Sequence, residues 1–351
     1  MDITGPYLLF LGDVSDPLAA KTARGILQWR PEKCIAQYRM TPSTVSLGIQ
    51  DMTFEQAKEA GAKTLVLGTA NAGGFIPDSW VSVIVEAISS GFDVVSGMHK
   101  ALADVEAIAH AANIYGVNLI DIRHFNGELG VGTGKKRSGK RLLTVGTDCS
   151  VGKMYTALCI HEGLSKAGID VQFCATGQTG ILIEGTGIAV DAVVSDFISG
   201  ATEQLSPACD SNTWQIVEGQ GSVLNPAYAG VSVGLLHGAQ PDALVLCHEV
   251  ARPHTRHMPH IALPDLEDIM ETVLKLVLPV NPNAKFIGFS LNTSALDEDN
   301  ALAYCRNWKQ NMVSRLPTLC ALPMPLWLMP CCHIRKGPND EYVCNLRAVF
   351  P

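Results

Sequence analysis

In the stretch LLTVGTDCSVGKMYTAL, residues 142–158, Gly146 and Gly152 stand with five residues between them and Lys153 follows directly. An apolar run leads in and a helix-prone run leads out, which is the order strand, loop, helix. Backbone N–H groups of such a loop converge at a helix N-terminus and bind phosphate oxygens. In nucleotide hydrolases the residue after that lysine is Ser or Thr, whose hydroxyl holds Mg²⁺. Here it is Met154, then Tyr155, and the nearest alcohol on the helix is Thr156. The pattern predicts a phosphate grip made by Gly146, Thr147, Asp148, Cys149, Ser150, Val151, Gly152, Lys153 and Met154. It lacks the usual metal ligand and favours a ligand whose phosphates are held and not broken. Cys149 sits where a thiolate is favoured, but a small residue packing in a tight loop is the preferred reading.

Further clusters stand at the ends of apolar runs. WQIVEGQGS places Glu218 at a strand's C-terminal end, the crevice side of an open α/β sheet, where it could order a metal or accept a proton. Gln178 and Thr179 follow a predicted strand over 171–175 and suit the lining of a ligand crevice. Asp191 and Asp196 are expected on the next helix, off a common face because they are five apart. ALVLCHEVARPHTRHMPH releases His248, Glu249, Arg252, His254, His257 and His260 into a proline-broken loop that lacks the spacing of a zinc-protease helix. Arg252 could hold a carboxylate bidentately while His248 or His254 takes a proton. In the N-terminal half, Lys21, Asn71, Gly73, Gly74, His99 and Arg123 fall near presumed loop ends. GTANAGG lacks the GxGxxG spacing of a dinucleotide site.

The elements behind these residues alternate, strand then amphipathic helix, which predicts parallel sheets. YLLFLG, TLVLG, FDVVSG and GVNLIDIRH read as strands, and Thr53 with Gln56 forms a capping box ahead of a helix. NGELGVGTGKKRSGKR, residues 126–141, holds five glycines and five basic residues and reads as a linker or flexible surface loop. The alternation restarts after it. The expected organisation is a Rossmann-like α/β domain over 1–134 and a P-loop NTPase-like α/β domain over 135–351, both with mainly parallel sheets. The stretch from 319 to 351 is proline-rich and shows neither period; a Cys331, Cys332, His333 metal site is the less favoured reading there.

With 351 residues, 47% hydrophobic and 17% charged, the chain is globular and long enough for two cores. A net charge of -8 argues against nucleic acid. No apolar run spans a bilayer, and eleven cysteines without a CxxC pair fit reduced thiols, so a cytoplasmic protein is expected. Self-association into a homo-oligomer is left open.

GTDCSVGK resembles the phosphate loop of dethiobiotin synthetases, as does the VEGQG element. Together with KTARGIL, GTANAGG, SGMH, GTDCSVGKM, GQTG, VEGQGS with NPA, and LCHE with Arg252, the chain resembles the two-domain family catalogued as domain of unknown function 1611, over about residues 5 to 318. Bacterial D-glutamate N-acetyltransferases belong to that family. The resemblance implies acetyl transfer from acetyl-CoA to the amine of D-glutamate or a related D-amino acid. On that reading Gly146 to Met154 hold CoA phosphates, Arg252 and Arg123 hold substrate carboxylates, and His248, His254 or Glu218 is the base. The alternatives are an ATP/Mg-dependent ligase or kinase, with Thr156 or Glu218 replacing the metal ligand, and a non-catalytic nucleotide or CoA binder.

Overall fold

The computed structural model describes residues 3–17, 19–70, 73–315, 332–336 and 342–345. By its contacts the chain forms two units: Met1–Gly127 with Gly177–Ala192, and Glu128–Thr176 with Val193–Pro351. The units therefore do not follow a single cut in the sequence.

The first unit carries the strands β1 (Tyr7–Phe10), β2 (Cys34–Tyr38), β3 (Thr64–Leu67), β4 (Asp93–Ser96) and β5 (Leu119–Asp121). They pair in parallel in the order β2-β1-β3-β4-β5. The helices α1 (Lys21–Trp29), α2 (Phe54–Glu59), α3 (Asp78–Ser89) and α4 (Glu106–Tyr115) make the crossovers. β1 and β3 are buried at every position, which is why they read as unbroken apolar runs. The capping box at Thr53 is present, with Gln56 and Thr53 each satisfying the other's backbone N–H. Aromatic rings knit this core: Tyr38 stacks on Phe54 at 4.4 Å, and Phe10 meets the edge of Trp80 at 5.2 Å.

In the second unit β6 (Lys140–Gly146) runs into α5 (Lys153–Lys166) and then β7 (Val171–Cys174). The chain next contributes α6 (Gln178–Glu184) to the first unit. It returns through α7 (Ile198–Leu205), β8 (Trp214–Val217), α8 (Ala229–Ala239) and β9 (Ala243–Glu249). A small hairpin, β10 (His254–Thr255) and β11 (Met258–Ala262), precedes α9 (Leu266–Val277), β12 (Lys285–Asn292) and α10 (Glu298–Arg315). β13 (Cys332–Lys336) and β14 (Tyr342–Asn345) close the series. The described strands give a sheet ordered β14-β13-β12-β9-β6-β8-β7, parallel except for the last pair, β13 with β14. The tail was expected to have no strand period, and this hairpin corrects that. β6 is flanked on both edges, by β8 and β9, so the loop after it leaves from the middle of the sheet.

Two further expectations are corrected. The glycine- and lysine-rich stretch over 126–141 is not a loose tether. Arg141 is fully buried. Arg137 donates to the carbonyls of Ser206 and Gly238 at 3.0 and 2.7 Å, and Glu203 accepts from Thr133 and Gly134. Composition suggested solvent; carbonyls at the ends of α7 and α8 supply the partners that let the guanidinium groups go inside. Second, Asp191 and Asp196 lie in short 3₁₀ turns, not on one helix, and in different units.

Candidate functional site

The loop between β6 and α5 has the shape its sequence predicts, and its internal bonds explain each residue type. Gly146 admits no side chain: a Cβ there would stand 2.9 Å from both Lys153 Nζ and Val151 Cγ2. Ser150 and Gly152 take positive φ, 55° and 101°, so the chain curls around a concavity. Three carbonyls of the loop are held by side chains. Lys153 Nζ donates to Asp148 O at 2.7 Å, and Arg252 donates to Cys149 O at 2.7 Å and Ser150 O at 3.5 Å. In a trans peptide the N–H points opposite its carbonyl. Fixing those oxygens therefore turns the N–H groups of Ser150 and Val151 the other way.

Asp148 is the keystone of this arrangement. It is fully buried and accepts from Asn225 Nδ2 at 2.8 Å, Arg252 at 3.0 Å and the Arg256 backbone N–H at 2.6 Å. Burial alone would raise its pKa, but these donors and the Cys149 N–H outweigh it and hold the carboxyl below its usual value. Lys153 is itself only 6% exposed, and desolvation lowers its pKa despite nearby acidic groups. Gly219 lets β8 close on this structure: its N–H donates to Thr144 Oγ1 at 3.0 Å, and a Cβ would press on the Thr144 carbonyl and on Lys153 Cδ.

The candidate residues fare differently. His248, at the end of β9, reaches the loop, with Nδ1 3.2 Å from Thr147 Oγ1. Burial, then the charge of Arg252, push its pKa down to about 4, so the ring is neutral at physiological pH. Glu218 is buried and accepts from the Thr176 N–H at 2.9 Å, while Thr176 Oγ1 donates to the Glu218 carbonyl. It anchors the exit of β7. His254 is exposed on the β10 edge of the hairpin. Arg252 was expected to grip a substrate carboxylate. Its guanidinium instead braces the loop at Asp148, Cys149 and Ser150 and pairs with Glu249.

Thr156 does not replace the missing metal hydroxyl, because it is buried one turn along α5, 3.0 Å from Gly152 O and 2.7 Å from Ser290 Oγ. Cys149 is half-buried, its sulfur 4.0 Å from Asn225 Nδ2. Among the described residues no group of three or more His, Cys, Asp or Glu could hold a metal ion. Asn71 and Cys331 lie outside the described residues; Cys332 and His333 belong to β13.

Within the first unit, Arg123, Gln178 and Thr179 come together, though not as an open crevice. Arg123 donates to Gly97 O at 2.5 Å and to Gln178 Oε1 at 2.8 Å, and pairs with Asp191. Thr179 shares a 3.0 Å bond with Thr22 on α1. These contacts fasten α6 to the unit, and Arg123, only 9% exposed, has a structural partner for each donor group. Sequence reasoning missed two residues of the loop's surroundings. Asn225 was visible only within the NPA element. Arg256 stood between histidines that drew attention away from it, although HT and MPHIA around it could have suggested a hairpin turn.

Comparison with known proteins agrees with this layout. A P-loop domain model of the DUF1611 family matches residues 129–324, and its companion, a Rossmann-like domain model, matches residues 39–125. A D-glutamate N-acetyltransferase from Pseudoalteromonas sp. is 46% identical over 346 residues, 99% of this chain and 100% of the relative. Another so named, from Tritonibacter scottomollicae, is 47% identical over 88% of this chain and 93% of its own length. The crystal structure of a DUF1611 family protein from Anabaena variabilis superposes with a TM-score of 0.77 at 28% identity, covering 90% of this chain and 94% of that one. Similarity to the Pseudoalteromonas protein over 99% of the chain carries into the tail beyond Leu319, where it was expected to fail. Among the described residues no helix is long and apolar enough to cross a membrane.

Proposed function

The chain belongs to the DUF1611 family of two-domain proteins, and from that premise we propose that it is an N-acetyltransferase moving acetyl from acetyl-CoA to the amine of D-glutamate or a related D-amino acid. The observation that carries the reading is a phosphate cradle without a metal hydroxyl. Met154 follows the loop lysine, and the next alcohol, Thr156, is consumed inside the sheet. Such a loop suits the pyrophosphate and 3′-phosphate of CoA, which are held and left intact. The two relatives that carry the acetyltransferase name support the same conclusion.

The thioester of acetyl-CoA supplies an activated acyl carbon when bound. The chain's residues supply the rest. Backbone N–H groups over 150–151 and the Lys153 charge meet the phosphates. His248, neutral through burial and the Arg252 charge, takes the proton that the attacking amine must lose. A base this weak cannot deprotonate a free ammonium ion. It suffices for the neutral form of the amine. As the lone pair enters the forming C–N bond, the nitrogen becomes acidic enough to give its proton to His248. As the C–S bond breaks, that proton passes to the departing CoA thiolate. His248 is favoured because its Nδ1 meets the loop at Thr147 Oγ1, whereas the Glu218 carboxylate is taken up by the Thr176 N–H and His254 is exposed on the hairpin.

The test is release of free thiol from acetyl-CoA in the presence of D- and L-amino acids, with wild type and Lys153→Ala. Turnover with D-glutamate that falls in the variant is expected. Absence of thiol release with every D-amino acid, or strong Mg²⁺-dependent ATP hydrolysis stimulated by a carboxylated amine, would overturn it.

A further inference from the structure

The acetyl-transfer reading brings anions to this loop, the phosphates of the donor and the carboxylates of the acceptor, and the two arginines expected to meet them are otherwise engaged. A third arginine is not. β10 and β11 pair with Thr255 opposite Met258, so Arg256 and His257 form a two-residue turn, with His257 at a φ of 64°. The tip of this hairpin is tied to the phosphate loop itself: the Arg256 N–H donates to the buried Asp148 carboxylate at 2.6 Å. The Arg256 side chain gives only its Nε, to His257 Nε2 at 3.2 Å. Its two terminal nitrogens meet no hydrogen-bond acceptor or carboxylate among the described residues, in contrast to those of Arg252 and Arg123.

We propose that Arg256, not Arg252, is the anion-binding arginine of the site, gripping a phosphate of the donor or a carboxylate of the acceptor. The backbone bond to Asp148 gives it a fixed root beside the cradle. Lys153, buried and folded onto the Asp148 carbonyl, brings a single ammonium to the phosphates and not the paired N–H groups of a guanidinium. A guanidinium stays charged and presents two parallel N–H groups to a phosphate or carboxylate. Arg252 then becomes a positioning residue, which holds two of the loop's carbonyls and the Asp148 carboxylate that anchors the hairpin. The proposal rests on the acetyl-transfer reading only for the identity of its ligands.

Arg256→Gln and Arg256→Lys are to be compared with wild type in steady-state thiol release. Loss of one charge-assisted pair predicts a KM for one substrate raised about 10- to 100-fold in Arg256→Gln, with kcat changed far less. Arg256→Lys should recover part of it. A rise confined to acetyl-CoA, and absent with acetyl-pantetheine, assigns the donor phosphates. A rise with D-glutamate but not D-glutamine assigns the acceptor's side-chain carboxylate. Both KM values within twofold of wild type would overturn the proposal. If wild type shows no acetyl transfer, that reading fails and Arg256 is judged by calorimetry with inorganic pyrophosphate and with D-glutamate. Tenfold weaker binding of either in Arg256→Gln supports it, while equal binding, or no binding to wild type, overturns it.

Discussion

Replacing Gly219 by alanine tests the link between sheet packing and the phosphate loop. The added Cβ would lie 2.8 Å from the Thr144 carbonyl carbon, closer still to its oxygen, and 3.1 Å from Lys153 Cδ. Ordinary van der Waals contact begins near 3.4 Å, so the carbonyl carbon must retreat about 0.6 Å and the oxygen further. Thr144 sits on β6 between two paired strands and cannot yield alone. Overpacking of this kind costs about 1–3 kcal/mol, and loss of the Gly219 N–H bond to Thr144 Oγ1 adds about 0.5–1.5 kcal/mol. A total near 2–4 kcal/mol corresponds to a fall in Tm of about 4–16 °C for a unit of this size. Gly230→Ala in α8, where a Cβ meets nothing within 4 Å, is the control and should raise stability by up to about 1 kcal/mol. Both are read by thermal unfolding and by the KM for acetyl-CoA. If Gly219→Ala matched wild type in both, the described closeness of β8 to the loop would be refuted.

Lys153→Met should raise the KM for acetyl-CoA at least about tenfold, the worth of a charge-assisted contact, while Tm holds or rises, because a desolvated charge is removed from a buried position. A stability loss without a KM change would contradict that role. Arg123→Ala should free residues 177–192 from the first unit, seen as new cleavage there in limited proteolysis, with a loss of about 2–4 kcal/mol for a broken, largely buried pair. An unchanged digestion pattern would remove the clasp. His248 sets a pH slope. Its pKa falls from 6.5 to about 4 on folding, so between those values the unfolded chain binds the extra proton and stability drops as pH falls. His248→Asn should flatten denaturant-measured stability between pH 6.5 and 4 by at most one proton's worth, about 1.4 kcal/mol per unit. Equal slopes would place the ring in water.

Much of the loop was legible in residue order, since two glycines, a lysine and a flanking apolar run are local requirements of one strand-loop-helix turn. The absent hydroxyl after Lys153 was equally local. The roles of the arginines were not. Arg252 reads as a carboxylate binder from its type, and only the fold reveals that Asp148, 104 residues away, already occupies it. Arg123 likewise shows no sign in its own segment that Asp191 and Gln178 lie waiting. The basic tract over 126–141 read as solvated because composition does not show the carbonyls at the ends of α7 and α8 that receive it.

The sequence by itself determined the alternation of strands and helices, the phosphate loop and its missing metal ligand, because each follows from neighbours within a few residues. Tertiary structure decided which charges are available. Pairing a guanidinium depends on partners brought from far along the chain, and burial decides whether that pairing is needed. Those long-range contacts tied Arg252 and Arg123 into the framework, returned residues 177–192 to the first unit, and left Arg256 beside the loop with its two terminal nitrogens unpartnered among the described residues.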